Sequence, residues 1–280
     1  MSTVIEESAV VEEQFNHANA LLEEARFDEA LLSYQEILNA KPNYIPALMK
    51  TAVIHENKED WDRVSDYCQQ VIAIKPDHEF AHLKLARALQ EMGELRNAIV
   101  AYRKVIDLNP NQPAWVYLQL GHGLRKQGES DEIIQMYRKS LERQPELPHV
   151  QISLGEQLQK QGLLDEAANC YRQALDIDPD IGAYPYAKLG EVQLKQGQLD
   201  EAISSYQIAL DIDPNLVAAQ KGLGDVFQEK GEYGDAAGCY QKAIELKPNA
   251  SWLYRALGDV MLRQGRDTEA LDCYRQAISM

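Results

Sequence analysis

The chain has no excess of positive charge. Its 28 lysines and arginines stand against 44 aspartates and glutamates, giving a formal net charge of −16 over 280 residues. Nucleic acid and anionic bilayers demand a basic footprint that neutralises phosphate, so the balance argues against both as partners. No run of 18 apolar residues exists, which excludes a transmembrane helix. The opening MSTVIEESAVVEEQF has neither the basic stretch nor the apolar stretch of a signal peptide. Cysteine is scarce, and Cys68, Cys170, Cys239 and Cys273 form no CxxC pair or other metal-ligand spacing. A reduced, cytoplasmic setting is the expectation.

Catalytic motifs are missing as well. There is no HExxH, no GxSxG and no GxxxxGK[ST]. Gly121-His122-Gly123 and Gly222-Leu223-Gly224 follow no strand and read as helix contacts. His78 and His82 lie four apart without a third ligand nearby. The pairs Asp28-Glu29, Asp165-Glu166 and Asp200-Glu201 resemble acid–base couples. Each opens a helix, where acids complement the dipole and cap free N–H groups. His17 and His55 fall in columns that normally pack and are expected inside. The reading is of a chain that is not an enzyme, with no catalytic residue, metal or cofactor.

What the sequence does contain is self-similarity. Pro42, Pro76, Pro110, Pro145, Pro179, Pro214 and Pro248 recur at steps of 34 or 35 residues. With each proline set as position 32, repeats start near 11, 45, 79, 114, 148, 183, 217 and 251, and the last is incomplete. Residues 1–10 form an acidic leader. Position 24 is tyrosine in every repeat but the second, which has Cys68. Position 8 is Ala or Gly throughout, from Ala18 to Gly258. Apolar residues recur at helical spacing on both sides of Gly93, Gly128, Gly162, Gly197, Gly231 and Gly265, a residue type that ends helices by adopting a left-handed conformation. Proline stops the second helix of each unit because it cannot continue the hydrogen-bond ladder. Small residues at positions 8 and 20 let paired helices approach closely.

These columns resemble the tetratricopeptide repeat (TPR), and the resemblance covers residues 11–280. It implies an all-α, right-handed superhelical solenoid of helix-turn-helix units. Repeats 1 and 2 depart most, with His17 and Thr51 where later repeats have leucine, and no glycine at position 15. That end is expected to be the less stable one, with repeat 1 acting as a cap.

The resemblance also implies a peptide-binding groove on the first helices, lined by positions 2, 5, 6, 9, 12 and 13. Those positions hold a larger share of cations than the rest of the chain. Repeat 2 contributes Lys50, and repeats 3 and 4 contribute Lys84, Arg87, Arg125 and Lys126 with His122, a cluster suited to an acidic segment. Repeats 5 to 8 contribute Lys160, Lys188 and a position-9 ladder of Glu156, Glu191, Asp225 and Asp259. Position 2 supplies the aromatics Phe80, Trp115, Tyr184 and Trp252, residue types found in binding hot spots. Ordinary alternatives stand beside these: polar residues are common at position 9, and position-2 aromatics also pack on neighbouring repeats. The chaperone-tail clamp of this family is not matched, since only Asn19 and Lys84 agree among Phe15, Asn19, Lys50, Phe80 and Lys84.

The expected function is a protein–protein interaction scaffold that takes a peptide segment or partner helix. The alternative is the recognition arm of a larger glycosyl-, sulfo- or methyltransferase. Self-association through the uncapped last repeat is a third expectation.

Overall fold

The computed structural model describes residues 2–128 and 130–280, so the first residue of the leader lies outside it. Among the described residues there are sixteen α-helices and no strand. The chain divides into two compact units, Met1–Met136 and Tyr137–Met280. In the first lie α1 (Ser2–Glu23), α2 (Phe27–Ala40), α3 (Ile45–Asn57), α4 (Trp61–Ile74), α5 (Glu79–Glu91), α6 (Leu95–Leu108) and α7 (Ala114–Gln127). The boundary falls within α8 (Ser130–Arg143). The second holds α9 (Pro148–Lys160), α10 (Leu164–Ile177), α11 (Ala183–Lys195), α12 (Leu199–Ile212), α13 (Val217–Lys230), α14 (Tyr233–Leu246), α15 (Ser251–Arg263) and α16 (Asp267–Ile278). Within each unit helices pack on their sequence neighbours, as α3 does on α4 and α13 on α14. No helix among the described residues is long and apolar enough to cross a membrane.

The punctuation follows the sequence. The second helix of each pair ends two residues before its proline: α2 at Ala40, α4 at Ile74, α10 at Ile177. Between the helices of a pair the glycine adopts a left-handed conformation, for example Gly197 at φ 75°. Repeats 1 and 2 keep this turn without glycine, through Ala25 at φ 59° and Glu59 at φ 57°. A side chain there costs about 1–2 kcal/mol. Thr51 adds to the deficit, being buried with no partner for its hydroxyl among the described residues.

The reason for a small residue at position 8 is the tyrosine at position 24 of the same repeat. A Cβ on Gly155 would fall 2.9 Å from the Tyr171 ring, and one on Gly224 or Gly258 2.7 Å from Tyr240 or Tyr274. The rings of Tyr171 and Tyr240 are fully buried, each contributing about 1.5–3 kcal/mol of apolar burial. Their hydroxyls are satisfied from the first helix of the pair. Position 12 accepts in three repeats: Tyr102 donates to Gln90 at 3.2 Å, Tyr171 to Gln159 at 3.1 Å and Tyr240 to Gln228 at 2.9 Å. Position 9 accepts from Tyr34, Tyr240 and Tyr274, through Asn19 (2.7 Å), Asp225 (2.8 Å) and Asp259 (2.7 Å).

Two expectations need correction. The acidic pairs opening α2, α10 and α12 cap no helix by a side-chain hydrogen bond. They lie in the first turn, where the dipole favours them, and they tie successive repeats together. Position 14 of one repeat reaches position 18 of the one before, as Lys58 to Asp28 (2.5 Å), Gln196 to Asp165 (2.6 Å) and Lys230 to Asp200 (3.0 Å). Arg138 meets Glu166 at 2.6 Å in a related link. His17 is exposed rather than interior, on α1 near Glu29 of the first turn of α2. His55 is largely buried, bonded to Asp60 at 3.0 Å and stacked on Tyr67.

Candidate functional site

In the first unit, the face formed by α3, α5 and α7 carries Lys50, Phe80, Lys84, Arg87, Trp115, His122, Arg125 and Lys126. Phe80 and Trp115 are exposed, while Lys50 is half-buried. Glu56 at the end of α3 draws two of the cations together. Lys84 Nζ and Arg87 Nη1 both donate to its carboxylate, the latter at 2.8 Å. The Lys84–Glu56 pair is well shielded, at 11% and 14% side-chain exposure, whereas Arg87 projects outward. Lys84 also lies 4.8 Å from the Phe80 ring centroid and Arg87 5.7 Å from that of Trp61. Such contacts restrain the cations and are worth about 0.5–1 kcal/mol when exposed. Two cations of the expected basic cluster thus share one carboxylate, which neutralises one of their two charges.

Another part of the cluster comes together separately. His122, Arg125 and Lys126 line a cavity of about 180 Å³ with Gln90, Ile99 and Tyr102. Burial lowers the His122 pKa, and the neighbouring charges of Arg125 and Lys126 lower it further. The imidazole is therefore neutral at pH 7, and the positive charge here belongs to Arg125 and Lys126.

In the second unit, Glu156 and Lys160 lie on α9, Tyr184, Lys188 and Glu191 on α11, Asp225 on α13, and Trp252 and Asp259 on α15. The acidic ladder is engaged at every rung. Glu156 accepts from Tyr184 Oη at 2.5 Å, and Glu191 accepts from Gln159, Lys188 and Lys195 at 2.7, 3.0 and 2.9 Å. Asp225 accepts from Lys221 and Tyr240, and Asp259 from Tyr274. Burial opposes ionisation of Glu191, but the lysine hydrogen bonds outweigh it and lower its pKa. Lys160 is exposed.

Five of these predicted residues, Tyr184, Lys188, Glu191, Asp225 and Trp252, surround a pocket of about 400 Å³ between α11, α13 and α15. Its floor includes Tyr206 and Gly222, neither of which was singled out as a ligand contact. Both left a trace in the sequence. Gly222 is the one glycine of the position-6 column, and Leu194 occupies position 12, where repeats 3, 5 and 7 have glutamine. Glu56 was also missed as an organiser, since a carboxylate in a groove column does not announce which cations it holds. Among the described residues no three His, Cys, Asp or Glu side chains are grouped to hold a metal. His78 and His82 are each used locally, on the Ala81 N–H and the Pro76 carbonyl.

Known repeat families match across this arrangement. The family described as "TPR repeat" matches residues 155–197, 190–231 and 224–265, and "Tetratricopeptide repeat" matches 81–112 and 116–148. The chain belongs to the tetratricopeptide-repeat family. This TPR chain is 27% identical over 101 residues to "E3 ubiquitin-protein ligase CHIP" of Arabidopsis thaliana, 36% of each protein. It thus spans about a third of that relative's length. Among solved structures it is similar to MamA, at 26% identity and TM-score 0.54, over 57% of this chain and 93% of that one. It is also similar to YrrB, titled "a TPR protein with an unusual peptide-binding site", at 22% identity and TM-score 0.60, over 68% and 96%. The C-terminal part of a TPR repeat-containing protein from Cytophaga hutchinsonii aligns at 16% identity and TM-score 0.65, over 87% and 99%. The last two are likenesses of fold.

Proposed function

We propose that this TPR array is a protein-interaction scaffold whose first-helix faces bind an extended segment or a helix of a partner protein. One observation supports this most directly. The aromatics at position 2, Phe80, Trp115, Tyr184 and Trp252, are exposed large rings on the same helices that carry the cations, in a chain that is strongly acidic overall. Exposed aromatic and arginine side chains on a rigid support are what a hot spot needs. In the first unit the partner segment is acidic, meeting Arg125, Lys126 and the outward-facing Arg87 through charge-assisted hydrogen bonds. In the second unit the face is nearly charge-balanced and takes a more apolar segment.

The test is affinity capture by the intact chain beside the double variant Arg87→Glu/Arg125→Glu, with circular dichroism to show that helicity is kept. A partner held by the wild type and lost with the variant supports the reading. Capture that is indifferent to the variant removes the basic site.

A second reading has the array as the recognition arm of a longer enzyme. The partial match to a protein named as a ubiquitin ligase favours it, since there a stretch similar to this one is part of an enzyme. It uses the same faces and changes only what lies beside them.

A further inference from the structure

Tyr206 breaks the pattern of its column. Five of its six counterparts, Tyr34, Tyr102, Tyr171, Tyr240 and Tyr274, give their hydroxyl to position 9 or position 12 of their own repeat. In repeat 6 neither position serves. Position 12 is Leu194, and Glu191 at position 9 is occupied by Gln159, Lys188 and Lys195. The Tyr206 side chain is 2% exposed, and among the described residues no group bonds its hydroxyl.

The hydroxyl is aimed at the pocket. The Tyr206 ring leans across Gly190 and ends over Gly222, where an added Cβ would lie 2.5 Å from Oη. Position 6 is larger than glycine in every other repeat. The hydroxyl borders a roughly 400 Å³ pocket, where it is free to bond a ligand that displaces solvent.

We propose that this pocket is a socket for one tyrosine side chain of the bound partner. The proposal rests on the groove reading above and names what its second half selects. The ligand ring lies against Tyr184 and Trp252, 47% and 39% exposed at the pocket wall, in the tilted or offset contacts aromatic rings favour. The ligand hydroxyl accepts from Tyr206 and donates to Asp225 or Glu191. Phenylalanine would leave the Tyr206 hydroxyl unmatched, and a site built around a hydroxyl discriminates against the analogue lacking it. A glutamate would bring another carboxylate beside Glu191 and Asp225, which Lys188, Lys195 and Lys221 already neutralise. Those three ammonium groups exceed the two carboxylates by one charge, too little to hold a phosphotyrosine dianion.

The side chains themselves serve as probes. With the intact chain, p-cresol, toluene and p-cresyl phosphate are titrated and the amide NMR shifts of Gly222 and Ala187 followed. Expected is saturable binding of p-cresol at these amides, toluene binding three- to tenfold more weakly, and loss of that preference in Tyr206→Phe. Leu194→Gln provides an independent variant, since it restores the position-12 acceptor and should abolish the preference with the ring in place. Equal binding of p-cresol and toluene to the wild type overturns the proposal, as does tighter binding of p-cresyl phosphate or shifts scattered away from the pocket. Partner capture that persists when the probes bind alike leaves the groove reading standing and the tyrosine assignment refuted. Loss of capture with the probe preference intact does the reverse.

Discussion

Arg87 and Glu56 meet at 2.8 Å across the boundary between repeats 2 and 3, and Lys84 closes on the same carboxylate. This relationship decides how much of the basic face is available to a ligand. It also makes Glu56 a competitor for the cations an acidic peptide would use.

Glu56→Gln is expected to have two opposite effects. An acidic peptide binds more tightly, by several-fold, because Arg87 is released. The first unit loses about 1–3 kcal/mol, because Lys84 stays largely buried without its partner. Isothermal titration with a poly-glutamate peptide and urea unfolding separate the two. Weaker peptide binding would show that Glu56 orients the cations rather than competing for them.

The first two repeats hold two turns in a conformation suited to glycine. Glu59→Gly should stabilise the first unit by about 1 kcal/mol, since relief of left-handed strain exceeds the entropy cost of glycine. Thr51→Val should stabilise it too, by removing a buried hydroxyl that has no partner among the described residues. Urea midpoints report both. A Glu59→Gly variant less stable than the wild type would show the turn to be unstrained.

His122 makes the first unit sensitive to acid. Its folded pKa is depressed below the ordinary 6.5, by burial first and then by Arg125 and Lys126. The unfolded chain therefore binds the proton more readily, and stability is full above about pH 6.5 and falls as pH drops toward the folded value. Unfolding at pH 7.5 and 5.5 should show a loss that His122→Gln diminishes. An unchanged difference in the variant would place the effect on the carboxylates.

The cysteines should be poor nucleophiles in the folded chain. Burial pushes the Cys68 thiol up to about 12 and that of Cys170 up to about 11. At pH 8 neither is expected to react with a disulfide reagent until the chain unfolds, whereas the half-buried Cys239 and Cys273 react slowly. Rapid labelling of Cys68 in the native protein would indicate that repeat 2 opens locally.

The helices, their ends and their order were legible in the sequence because they depend on local chemistry repeated many times. Proline ends the second helix wherever it recurs, glycine supplies the left-handed turn, and small residues at position 8 let the paired helices approach. Which positions carry the candidate site was legible only through the resemblance to the tetratricopeptide repeat. What those side chains do there was not. Whether Lys84 and Arg87 are open to a ligand turns on Glu56, a residue of the preceding repeat whose side chain reaches across the boundary. Whether position-9 acids bind partners or hold tyrosines turns on the distance from Asp225 to Tyr240. The Tyr206 socket needs three separate positions, Leu194, Tyr206 and Gly222, on three helices. Local sequence determines the backbone because each repeat folds against its neighbours by the same rules. Only the tertiary structure decides which polar groups are already satisfied, because a hydrogen bond goes to whichever partner packing brings within reach.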